Sequence, residues 1–95
     1  MATYIALLHF TDQGIRNIKD SPDRAGAFTA MAAKLGVTVK AFYYTVGHYD
    51  GLVIAEGSDE AVASALLKAG SLGNIRSETL RAFTLEEAKR MIGNT

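Results

Sequence analysis

The sequence has 95 residues, 48% of them hydrophobic, with ten basic residues against ten acidic ones and no cysteine. A chain of 10.2 kDa folds to about 5,300 Å² of surface from about 14,800 Å² extended, which is enough for one modest core and a single domain over residues 1–95. Zero net charge without a run of like charge excludes the electrostatic footprint of a nucleic-acid or anionic-membrane binder, and the absence of cysteine excludes disulfides, thiolate metal sites and thiol nucleophiles.

Thr3 to Phe10 is apolar and β-branched and stops at the polar Thr11-Asp12-Gln13-Gly14, which predicts a buried strand followed by a turn or one-turn helix carrying Ile15 and Ile18. Ser21-Pro22 then opens a helix, with Ser21 expected as its N-cap and Pro22 as the first helical residue. Phe28, Met31, Ala32 and Leu35 fall on one helical face, and Gly36 suits the left-handed residue that ends it. Val37 to Val46 and Leu52 to Ala55 predict two strands joined as a hairpin through Gly47-His48-Tyr49-Asp50-Gly51. Ser58-Asp59-Glu60 starts a second helix with the apolar stripe Val62, Ala65, Leu66 and Ala69, and it ends in the glycine-rich Gly70 to Gly73. Asn74 to Phe83 is the fourth strand. Thr84-Leu85-Glu86-Glu87 has the capping-box form and opens a short tail helix with Leu85, Ala88, Met91 and Ile92 as its apolar residues.

The order strand, helix, strand, strand, helix, strand predicts an α+β, ferredoxin-like βαββαβ sandwich. In it a four-stranded antiparallel sheet of order 4-1-3-2 carries two helices on one face, with a short C-terminal helix added. Side chains alternate across a strand, so a sheet wet on one face should alternate apolar with polar. These strands do not. Tyr4, Ala6, Leu8 and Phe10 oppose Ile5 and Leu7. In the second strand Val39, Ala41 and Tyr43 oppose Phe42, Tyr44 and Val46, and in the third Leu52 and Ile54 oppose Val53 and Ala55. Both faces need cover and two helices supply one. Either a second copy packs on the open face, or the tail helix folds back over it.

Few residues offer chemistry. The two histidines, His9 at the end of the first strand and His48 in the hairpin, lack the spacing and number of a metal site. Asp50 is expected either to accept backbone N–H bonds within its own turn or, if buried, to act as a proton acceptor beside Tyr49. The Gly70 to Asn74 loop follows a helix and precedes a strand, the reverse of a phosphate-binding loop. Arg76, Glu78 and Arg81 lie in an otherwise apolar edge strand, where they keep the edge soluble, pair across an interface, or anchor an anionic ligand through Arg76. Lys40 on the opposite edge reads as solvated. No apolar run reaches the ~18 residues of a membrane span. The opening residues lack the pattern of a signal peptide, so the cytoplasm is the expected location.

Phe10 to Ile15, Ile18 to Pro22, the Gly47-His48-Tyr49-Asp50 hairpin, and the run Gly70 to Arg76 continuing through Glu78 to Thr84 together resemble the GYD domain family, named for its glycine–tyrosine–aspartate motif. The resemblance spans nearly the whole chain and implies a ferredoxin-like fold related to the dimeric α/β-barrel proteins. Its motif positions here are Gln13, Gly47, Tyr49, Asp50, Asn74, Arg76 and Arg81. Two functions are expected. One is a homo-oligomeric small-molecule binding or regulatory module, dimeric or of higher order, with a small anionic metabolite as ligand. The other is a cofactor-independent monooxygenase or isomerase in which Asp50 or His9 moves a proton. The candidate ligand-binding residues are Tyr49, Asp50, Arg76, Tyr44 and His9, with no metal, no cofactor and no catalytic residue assigned.

Overall fold

The apolar, β-branched start of the chain forms β1 (Ala2–Phe10), the strand around which a computed structural model describing residues 1–94 is built. There follow α1 (Asp12–Arg16), a 3-10 turn (Ile18–Asp20), α2 (Ser21–Lys34), β2 (Thr38–Tyr44), β3 (Gly51–Gly57), α3 (Asp59–Ser71), β4 (Ile75–Ala82) and α4 (Leu85–Gly93). The sheet is antiparallel throughout in the order β2-β3-β1-β4, the ferredoxin-like arrangement, with β1 and β3 central.

Local signals set most boundaries. Gly36 takes φ +86° where α2 ends, a conformation that side chains with a Cβ resist. Ser58 caps α3 by accepting the Ala61 N–H at 3.2 Å. Thr84 and Glu87 close a full capping box at α4. Ser21 departs from expectation. The 3-10 turn runs straight into α2, so Ser21 is already helical with φ −57° and ψ −44°. Its hydroxyl instead meets the Tyr44 hydroxyl at 2.9 Å.

The core is made of small side chains: Ala6, Leu8, Val53 and Ala55 from the sheet, Val37 from the turn before β2, Ala32 from α2, and Val62 and Ala65 from α3. Larger Phe28, Met31 and Leu66 are only half-buried around it.

Two expectations about β2 are corrected. A β-bulge at Lys40 sets two residues of β2 against one step of β3, so Val39 pairs with Ala55 while Ala41 pairs with Ile54. Val39 therefore faces the helices beside Phe42 and Tyr44, not the open side with Ala41 and Tyr43. The strand also stops at Tyr44, short of Val46. Thr45 already belongs to the loop, its N–H donating to the Asp50 carbonyl at 3.0 Å and its hydroxyl to the Tyr49 carbonyl at 2.6 Å.

On the open face the register aligns Tyr43, Leu52, Leu7 and Glu78 in one row and Ala41, Ile54, Ile5 and Leu80 in the next. The tail helix α4 does not turn its apolar side chains onto these rows, because Leu85, Met91 and Ile92 remain exposed. Among the described residues no helix is long and apolar enough to cross a membrane.

Candidate functional site

Alternation separates neighbours in the Gly47-His48-Tyr49-Asp50 hairpin. Tyr49 turns toward the open face, where its hydroxyl donates to Glu78 Oε2 at 3.1 Å. Because the phenol donates to a carboxylate, its protonated form is favoured, and desolvation and the Glu78 charge raise its pKa further above the usual 10.0. A tyrosine held neutral in this way is a hydrogen-bond donor, not a base.

His9 lies against the same ring, with centroids 4.8 Å apart, and His48 meets both rings edge-on at 5.4 and 4.8 Å. Arg76 stands opposite His9 in the β1–β4 ladder, exposed, and its guanidinium has no hydrogen bond or ion pair among the described residues. His9, His48, Tyr49, Arg76 and Glu78 thus form one polar corner at the end of the apolar rows. Among the described residues no three His, Asp or Glu side chains converge as metal ligands.

Asp50 turns the other way. Its N–H donates to the Leu8 carbonyl and its Oδ2 accepts the Phe10 N–H, both at 2.8 Å. The carboxylate thus serves the neighbouring strand, not its own turn, and extends the β1–β3 ladder one step past the Leu8–Gly51 pair with a charge-assisted bond.

A further constellation joins two segments far apart in sequence. The Thr11 hydroxyl donates to the Gly73 carbonyl at 2.6 Å, and its N–H donates to the Asn74 carbonyl at 3.1 Å. Gln13 Nε2 donates to the Leu72 carbonyl and to Asn74 Oδ1, each at 3.0 Å. Gly73 takes φ +85° to present these carbonyls. Gly14 packs so closely that a Cβ there would stand 2.0 Å from the Asn74 carbonyl oxygen. The glycine-rich loop is therefore a clasp for the β1–α1 turn.

Arg81, the third charge of β4, lies over the Phe83 ring at 4.3 Å and the Tyr4 ring at 5.6 Å. Its Nη1 donates to the Thr3 carbonyl at 3.3 Å and also to the Ala82 carbonyl.

A cleft of about 440 Å³ opens on the helix side of the sheet, between the N-terminal half of α2 and the C-terminal half of α3. Tyr44 and Asp50 line it, whereas His9, Tyr49 and Arg76 do not. The five sequence-nominated residues therefore divide between two places, three at the open-face corner and two at the cleft. Sequence reasoning missed Arg24 and Lys68, which line the cleft too. Both continue apolar stripes at helical spacing, Arg24 with Phe28, Met31 and Leu35, and Lys68 with Ala61, Ala65 and Leu72. A cation in register with a buried face was the signal.

A GYD domain model matches residues 4–92. The glutamine synthetase and cystathionine beta-lyase binding protein of Thermus thermophilus is 33% identical over 89 residues, covering 92% of this chain and 94% of that protein. A crystal structure of a protein from the same organism superposes with a TM-score of 0.56 at 24% identity, over 88% of this chain and 95% of its own. At that identity the likeness is one of fold.

Proposed function

The chain belongs to the GYD domain family, and on that premise we propose that it is a cytoplasmic regulatory module that self-associates through its open sheet face and acts by binding other proteins. The observation that carries this reading is the open sheet face, where Leu7 and Leu52 adjoin a row of Ala41, Ile54, Ile5 and Leu80 while the apolar Leu85, Met91 and Ile92 of α4 stay exposed instead of covering them. Surface area supports it. The chain leaves 6333 Å² accessible, roughly 1,000 Å² more than a compact monomer of its mass. An ordinary protein–protein interface takes about 800 Å² from each partner. The polar corner of His9, Tyr49 and Arg76 then forms part of the rim. Because a two-fold interface uses the same patch twice, Arg76 of one copy and Glu78 of the other can pair reciprocally.

The relative's name supplies the first partners to try, glutamine synthetase and cystathionine beta-lyase. Light scattering at micromolar concentration should give at least twice the 10.2 kDa chain mass. Leu7→Lys, which puts a charge at the centre of the rows, should give a folded monomer. Biosensor titration should show the wild-type assembly binding one of the two enzymes and Leu7→Lys binding it at least tenfold more weakly, about 1.4 kcal/mol. A wild-type monomer would overturn the assembly, and failure to bind either enzyme would overturn the assignment of partners.

A further inference from the structure

The cleft between α2 and α3 calls for an account of its own. Protein interiors normally leave few voids larger than a water molecule. Here about 440 Å³ stands open beside the core, within the ~300–1,000 Å³ range of small-molecule sites. Its walls are Phe28 and Met31 of α2, Phe42 of β2, Leu66 of α3 and Ile75 of β4, all half-buried and all left with apolar surface facing the opening.

Polar groups occur at a few defined points. The Ser21 and Tyr44 hydroxyls bond each other at 2.9 Å, with Ser21 itself only 5% exposed. The charged lining residues are Arg24, Asp50 and Lys68. Asp50 is engaged by the Phe10 N–H at 2.8 Å. Arg24 is held in place by donating from Nη1 to the Asn17 carbonyl at 3.0 Å and from Nη2 to the Gly14 carbonyl at 3.3 Å. Two neutral acceptors position that guanidinium and leave its charge uncompensated. Among the described residues the Lys68 ammonium has no partner. The balance of the lining is therefore one excess positive charge beside an apolar chamber.

We propose that this cleft is a binding site for a small amphipathic carboxylate, whose hydrocarbon or aryl body lies among Phe28, Met31, Phe42 and Leu66 and whose anionic end is held by Arg24 and Lys68. The stem of Lys68 covers apolar surface while its head stays at the opening, as long cationic side chains do. This site lies on the face of the sheet opposite the proposed assembly surface, so it stands or falls independently of that reading.

The test is an amide NMR titration of the full chain with sodium decanoate, with 1-decanol as the uncharged control. Decanoate should give saturable one-to-one shifts in α2, β2 and α3, and should bind about tenfold more tightly than 1-decanol. Lys68→Gln should remove most of that preference. Ala69→Trp, which fills the cleft, should abolish saturable binding of both, and Leu72→Trp should do so from the exposed side of the same wall if Ala69→Trp fails to fold. Absence of saturable shifts, shifts confined to the open sheet face, or undiminished binding in the filled variants would overturn the site. Equal binding of 1-decanol and decanoate would overturn its anionic end.

Discussion

Gly14 has no room for a side chain, because the position a Cβ would take is 2.0 Å from a backbone oxygen that cannot swing aside. Gly14→Ala must push the Asn74 carbonyl away and break the clasp that Thr11 and Gln13 make with the same loop. Overpacking against backbone costs about 3 kcal/mol, so its melting temperature should fall by roughly 10 °C or more. Gly26, exposed within α2 with nothing within 4 Å of a Cβ, is the control. There alanine should be neutral or raise stability by up to about 1 kcal/mol, and equal effects at both glycines in thermal melts would refute the argument. Tyr49 and Asp50 show what sequence conveys at this scale. The hairpin they share marks both as candidates in the sequence, but not the opposite faces to which they turn. The partners lie at Glu78 and Phe10, 29 and 40 residues away, and only the register of the sheet brings them within reach.

The tail helix shows how a local signal can be complete while the element's large apolar side chains stay exposed. Thr84 Oγ1 accepts the Glu87 N–H at 3.1 Å while the Glu87 carboxylate accepts the Thr84 N–H at 2.8 Å. That second bond, helped by Arg81 and Arg90, holds the Glu87 pKa below the usual 4.5. A carboxylate whose pKa is lowered by folding adds stability above its unfolded value and loses it as pH falls through the folded value. The start of α4 should therefore be ordered at neutral pH and fray as pH drops below about 4.5, with Glu87→Gln removing most of that dependence. Amide exchange at Leu85 to Ala88 measures it, and a pH-independent terminus would contradict the capping account. All four strands, both large helices and this box were legible from periodicity and caps. The bulge at Lys40 was not, because one unpaired residue leaves no mark on composition and is decided by how β2 fits the twist of β3. The cleft was equally hidden, since the stripes on α2 and α3 look alike whether the helices touch along their whole length or diverge at one end.

As a whole, the molecule is a plate of 48 × 31 × 17 Å. Its radius of gyration of 14.2 Å exceeds the roughly 12.4 Å expected for a compact domain of this length. On the assembly proposed above, a second copy on the open face would add stability by mass action. The melting temperature should therefore drop measurably on hundredfold dilution of the wild-type chain and stay fixed for Leu7→Lys. Scanning fluorimetry over that range distinguishes the two, and a wild-type midpoint that ignores concentration would argue against association. The position of β1 carries a consequence for how the chain comes into being. This strand precedes both of its neighbours in synthesis, β3 on one side and β4 on the other. It therefore waits through α2 and β2 before its first neighbour exists, and through α3 before its second. Until β4 arrives, β1 is an open strand edge with apolar side chains on both faces, the kind of intermediate that recruits other chains. The clasp that joins Thr11 to Gly73 and Asn74 cannot close before those residues are made, so truncation products that end short of them lack both the clasp and the second neighbour of β1 and are expected to be candidates for chaperone capture.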